Sequence, residues 1–411
     1  MDLVRFLRQS SVVVVAGKGG VGKTTVTAAL ARLAADSGLS VLVVDLEGKA
    51  GVPAAFGRGG SLAYEEVTLH RAGAGRAAGG GTAGTTGDAA SGAGDAASAT
   101  GGAAGGAWRR PGGPGDGTTS HGARGVADDG VGSPVPPGTV RARRITPDDA
   151  LLEYLADHGM RRVSKRLVAS GVLDVVATAI PGIRDILVLG KVKQLERAGM
   201  ADLVLVDAPA TGHAMTFLSS ARGLLDAARS GPVRSQAAEV VELLSDPDRC
   251  QVVLVTLPEE MPVNEVIEAA YQLEDRIGVA LGPVVVNACM ADRSGLDLDP
   301  QAAAEAAGVP LPGDQQQALA AAARFRRRRY LLQQEQLDRL ADELPLAQLR
   351  LPAVPGSAIG PEQLTVLADA LGDAVASLPE PAVGRGAGAA SAGATGAADG
   401  GGPASPGGGS R

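Results

Sequence analysis

Apolar residues gather into short, nearly unbroken runs at residues 12–16, 41–44, 203–206, 252–257 and 284–286, with a looser one at 346–351. A strand exposed on one face alternates apolar with polar; continuous runs this short belong to strands covered on both faces, as in a parallel sheet. Between them lie segments with helical spacing: 25–36, 146–155, a helix opening at 181–191, 265–273, an interrupted alanine-rich stretch at 300–323, and 362–378. Gly38 is placed to cap the first of these helices, and Thr146, Pro147, Asp148 and Asp149 supply a cap oxygen, a first-turn proline and N-terminal acids for the second. Strand, helix, strand order within the first 45 residues predicts an α/β fold, a doubly wound and mostly parallel sheet with helices on both faces.

Two short segments break the rule. Residues 66–70 and 139–145 partly alternate, as two paired edge strands do, while residues 72–138 between them are mostly Gly, Ala, Ser, Thr and Pro. Such a composition cannot bury a core, so a disordered insertion in the turn of a hairpin is expected. The expected organisation is therefore an N-terminal part at 1–71, the insertion at 72–138, the remainder with a helical subdomain at 139–380, and a disordered tail at 381–411. Within the remainder, residues 160–180 place Arg161, Arg162, Lys165 and Arg166 ahead of an apolar run.

Composition narrows the function classes. Of 411 residues, 45% are hydrophobic but only 2% aromatic, which leaves few stacking platforms for single-stranded nucleic acid, and a net charge of −7 counts against a DNA-coating surface. No nucleic-acid partner is expected. Cys250 and Cys289 are the two cysteines, far apart, so neither a disulfide framework nor a CxxC zinc site is expected. The first residues show no signal-peptide apolar segment and no run is long enough to cross a bilayer, so the expectation is a cytoplasmic protein without stable membrane insertion.

The chemistry concentrates at residues 12–25, VVVVAGKGGVGKTT. Gly17, Gly22, Lys23 and Thr24 satisfy the phosphate-loop pattern GxxxxGK[ST] between a strand and a helix. Glycines let the backbone of Gly17, Gly19, Gly20, Val21, Gly22 and Thr25 curl its N–H groups toward phosphate oxygens at the positive end of the new helix. Lys23 reaches the terminal phosphates and the Thr24 hydroxyl ligates Mg2+. Asp207, closing the run at 203–206, has the Walker B placement of a second Mg2+-ordering group. The same letters also read as GxGxxG with Asp45 as a ribose-binding acid, but a dinucleotide site gives Lys23 and Thr24 no task. ATP and Mg2+ are the expected cofactors.

Lys18, directly after the first glycine in KGGVGKTT, is the mark of the deviant Walker A group, and the chain resembles its ArsA-like, tail-anchored-protein-targeting family. The resemblance covers roughly residues 10–70 and 139–380 and implies a phosphate-loop NTPase fold of the MinD/ArsA-like class. It also implies that Lys18 crosses a dimer interface to a partner's nucleotide, so that a homodimer or paralogous heterodimer is the active form. Glu47 falls where the family has the aspartate that positions the attacking water, a departure that leaves Asp45 as a rival. Residues 208–213, APATGH, are similar to the second switch, with Thr211, Gly212 and His213 matching and Pro209 displaced by one; a γ-phosphate-sensing loop is implied there. Residues 181–191 resemble a helical region that couples nucleotide state to a client, with Arg184 in place of an acid. Asn287 is expected to read the adenine edge, and the turn beginning at Pro352 to cover the base. The implied function is a Mg-ATP-dependent dimeric ATPase acting on an unidentified client, membrane proteins among the candidates. A MinD/ParA-type positioning or partitioning switch is the alternative, and a nucleotide-binding regulatory module without hydrolysis the third reading. Arsenite transport finds no support, since clustered thiolates are lacking.

Overall fold

The central strands form because they are rich in β-branched residues and leucine that find cover on both faces. The computed structural model describes residues 2–73, 133–157, 182–356 and 358–379. Its strands are β1 (Val12–Gly17), β2 (Val41–Asp45), β3 (Val67–Arg71), β4 (Thr139–Arg144), β5 (Leu203–Ala210), β6 (Cys250–Thr256), β7 (Ala280–Leu281), β8 (Val284–Cys289) and β9 (Gln348–Pro352). They make one nine-stranded sheet in the order β3-β4-β2-β5-β1-β6-β8-β9, with β7 beside β6. Every pairing is parallel except β3 with β4, which pair antiparallel as the alternating segments predict.

Among the described residues the helices are α1 (Leu3–Leu7), α2 (Lys23–Asp36), α3 (Gly51–Ala55), α4 (Pro147–Asp157), α5 (Ile183–Arg197), α6 (Thr211–Ala227), α7 (Pro232–Ser245), α8 (Glu260–Gln272), α9 (Pro300–Ala307), α10 (Gly313–Glu343) and α11 (Pro361–Ala376), with a π turn, Leu273–Ile277, after α8. Alternate residues of β1 feed two separate cores, as the period of two requires. Val12, Val14 and Ala16 pack with Leu189, Phe217, Leu218 and Leu243 of α5, α6 and α7. Val13 and Val15 pack with Leu30 and Leu33 of α2 and Leu364, Leu367 and Leu371 of α11. The sheet is thus covered on both sides.

Several expectations shift. Glu259 precedes α8 and Pro262 sits in its first turn, where a proline costs no hydrogen bond, so the helix starts five residues before the expected 265. β5 runs past Asp207 to Ala210 and α6 begins at the next residue, so the second-switch segment is strand and helix rather than an open loop. The interruption in the alanine-rich stretch is real, with Gly308 left-handed at φ 66. Beyond it α10 buries only Gln333, Leu337 and Leu340. Val135 is 5% exposed and donates its N–H to the Met200 carbonyl (2.7 Å), so the low-complexity segment meets the core before β4 begins. Residues 74–132, with Trp108, and the basic and apolar stretch at 160–180 lie outside the described residues, as does the tail.

Candidate functional site

At the carboxyl end of the sheet, β1 passes directly into a loop that turns on left-handed glycines, with φ 87 at Gly20 and 94 at Gly22. At Gly22 a side chain is doubly excluded, because a Cβ would collide with the Asn287 amide. α2 then starts at Lys23 with no side-chain cap, which leaves its first N–H groups for an anion. Gly19 and Gly20 are exposed, Gly22, Thr24 and Thr25 half-buried, and Val21 is buried. Lys23 is 8% exposed, and its ammonium donates to the Lys18 carbonyl at 3.2 Å. Burial lowers its pKa, with Glu47 and Asp207 pulling the other way.

Below the loop the Thr24 hydroxyl donates to Asp207 Oδ2 at 2.7 Å. Thr27 donates to Asp207 Oδ1 at 3.4 Å and to the Lys23 carbonyl at 3.0 Å. Sequence reading passed over Thr27, although its position three residues after Thr24 puts both hydroxyls on one helix face. Parallel register sets Asp207 of β5 directly beside Asp45 of β2. Asp45 Oδ1 accepts the N–H groups of Glu47 (2.9 Å) and Gly48 (3.0 Å), whereas Asp45 Oδ2 is buried with no hydrogen-bond partner. Burial raises both carboxyls, Asp207 to about 6, with Asp45 adding to the rise and the Thr24 hydroxyl opposing it.

Two buried acids, one with an orphaned oxygen, a hydroxyl between loop and acid, and a lysine above them suit a divalent cation held mainly by phosphate and water. No cluster of three His, Cys, Asp or Glu able to hold a metal occurs among the described residues, so a cage made of protein alone is not what this donor set offers. Mg2+ would suit this donor set, and Thr24 and Asp207, with Asp45 beside them, are the residues that would hold it.

The other candidates sit at the margin. Lys18 forms an ion pair with Glu265 of α8 in the same chain, both about a third exposed. Glu47 pairs with Lys49 at 2.5 Å, with its side chain 28% exposed, and that contact raises the Lys49 pKa. Asn287 donates its Nδ2 to the Val21 carbonyl (2.9 Å) and accepts the Ala288 N–H on Oδ1 (2.9 Å), so both ends of its amide are engaged with protein here. Pro352 lies opposite Cys289 in the β8–β9 register. His213 is exposed on α6, and burial raises the Asp185 carboxyl on α5, with His213 opposing the rise. Sequence separation hid the Lys18–Glu265 contact, which spans 247 residues.

A family model described as the CobQ/CobB/MinD/ParA nucleotide binding domain matches residues 12–380. The "ATPase BagA" of Mycobacterium tuberculosis and the "Putative ATPase Mb3704" of Mycobacterium bovis are each 29% identical over 287 residues, 66% of this chain and 63% of theirs. A shorter match, 33% identical over 97 residues, joins 21% of this chain to 15% of a Halobacterium salinarum protein named "Putative arsenical pump-driving ATPase". The chain spans 63% of the length of the mycobacterial relatives it matches.

Proposed function

This chain belongs to the CobQ/CobB/MinD/ParA nucleotide-binding domain family, and on that premise we propose that it is a Mg2+-dependent ATPase of the ArsA-like type, coupling hydrolysis to a change of shape and to a protein client. The observation that carries the reading is the Thr24–Asp207 hydrogen bond beneath the lysine-bearing loop. It joins the two groups a phosphate loop uses to order its metal, and Asp45 adds a buried oxygen with no partner beside them. The names of the mycobacterial relatives and the short arsenical-pump match support the same direction.

In this reading the loop N–H groups and Lys23 bind the β- and γ-phosphates and stabilise the charge that spreads onto them as the bond to the leaving diphosphate breaks. Bound Mg2+ would supply charge neutralisation across those phosphate oxygens. Glu47 orients the attacking water once it leaves Lys49, and Asp45 holds the Glu47–Gly48 turn through two backbone hydrogen bonds. Lys18 exchanges Glu265 for the nucleotide of a second chain, which makes the working form a homodimer or a paralogous heterodimer. Asn287 and Pro352 flank the position of the adenine.

The direct test is Mg2+-dependent phosphate release. The wild-type chain turns ATP over, and Lys23→Ala lowers the rate at least about 100-fold, the scale set by removing a transition-state charge partner; turnover that survives the substitution would remove the site from the chemistry. The matched family description names MinD and ParA, which supports a second reading, a positioning or partitioning switch. ATP-dependent binding to lipid vesicles or DNA would favour it over a protein client.

A further inference from the structure

β8 carries one residue more than β9 between shared register points: Val286 faces Arg350 and Cys289 faces Pro352, so Asn287 and Ala288 together oppose Leu351. This is a β-bulge, a device that re-aims a side chain at the price of a broken ladder. Ala288 closes it at φ 58, the one non-glycine residue with positive φ among the described residues. There its Cβ crowds the backbone, so the conformation persists only where neighbours hold it.

The neighbours are identifiable. Gln333 of α10, 5% exposed, receives the Met290 N–H on Oε1 (2.8 Å) and donates Nε2 to the Ala288 carbonyl (3.3 Å). One amide, acceptor at one end and donor at the other, thus spans the turn that follows the bulge. Gln333 shares a buried helix seam with Leu337 and Leu340, at a position where an apolar residue would otherwise be expected. On the opposite side the bulge turns Asn287 toward the loop, where Nδ2 donates to the Val21 carbonyl and packs on Gly22.

We propose that Gln333 is a positioning residue for nucleotide binding: its amide clamps the β8 bulge that aims Asn287 at the phosphate loop. The inference rests on the reading of that loop as the ATP site. The hydrogen bonds of Gln333 go to Met290 and Ala288 and not to the loop, so its effect passes through Ala288 and Asn287. The test is a binding cycle with a fluorescent ATP analogue and Mg2+, comparing wild type, Gln333→Leu, Asn287→Ala and the double variant. Each single change weakens binding about ten-fold, the loss expected when the loop conformation that Asn287 holds is only about a tenth populated. The double variant is no weaker than the weaker single one. Adding Ala288→Gly to Gln333→Leu restores most of the affinity, because glycine holds the positive φ without a clamp. Should the leucine variant lose its fold, Gln333→Met, which keeps the length and removes both hydrogen bonds, reads the same cycle. Multiplying losses in the double variant, or failure of glycine to rescue, would overturn the positioning role while the ATP site stands. A wild-type chain that binds no ATP would overturn the nucleotide reading, and this inference with it.

Discussion

Asp207 is 6% exposed, and burial lifts its carboxyl to about 6, with Asp45 beside it adding to the rise. A carboxyl raised in the fold stabilises the folded state fully below its ordinary pKa, near 4, and that contribution is lost as pH rises through 6. From the ordinary value of 3.8 to about 6 the loss amounts to about 3 kcal/mol for the metal-free chain. Asp207→Asn removes it. Urea denaturation in a chelator should find that variant more stable than wild type at pH 7.5, with the gain shrinking toward pH 4, while Mg2+-dependent turnover disappears. A variant less stable at pH 7.5 would mean that the Thr24 and Thr27 hydrogen bonds outweigh the desolvated charge. At this scale Lys23, Thr24 and Asp207 could be read from the sequence because each belongs to a short local pattern. The partners of Lys18 and Glu47, by contrast, are set by tertiary packing and by a neighbouring lysine that no pattern requires.

Among the elements, the β3–β4 hairpin connects across residues 72–138 yet keeps its ladder to the end, with Arg71 opposite Thr139 and the Ala72 N–H on the Gly138 carbonyl at 2.7 Å. Closing a loop of about 70 residues rather than about four costs roughly 2.5 kcal/mol by the logarithmic rule. Replacing residues 74–132 with a short Gly/Asn turn should therefore raise the unfolding free energy by about 1 to 2.5 kcal/mol in urea melts and leave Mg2+-ATP turnover intact. A loss of stability would show that the replaced segment contributes contacts of its own. β1, β2, β5, β6 and β8 were readable because a doubly covered strand has no polar face to blur it, and β3 and β4 by their alternation, whereas the two-residue β7 left no run. Helix starts were less so: the helix expected from 265 begins at Glu260, because Pro262 is compatible with a first turn, and the glycine of the second switch did not stop α6 from beginning at Thr211. Gln333 left one trace, a polar residue in a seam with Leu337 and Leu340, whose meaning depends on the Ala288 bulge across from it.

Across the whole molecule, the described residues up to Leu378 group as one compact unit built on a single sheet, and no helix among them is long and apolar enough to cross a membrane. One phosphate loop serves that unit, and the Lys18–Glu265 pair holds the second lysine inside its own chain. A shared site requires that pair to open when two chains meet over nucleotide. In such a shared site Lys23→Ala would destroy the site of the chain that carries it, and Lys18→Ala the site of its partner. In a dimer of one of each, the Lys18→Ala chain keeps its own Lys23 and receives an intact Lys18. Steady-state phosphate release from the two variants, alone and in an equal mixture, tests this most directly. Each variant alone should be nearly inactive, and the mixture should recover about a quarter of wild-type turnover, since half the dimers are mixed and each holds one working site. A Lys18→Ala chain as active as wild type, or a mixture no more active than its components, would contradict a site completed by two chains.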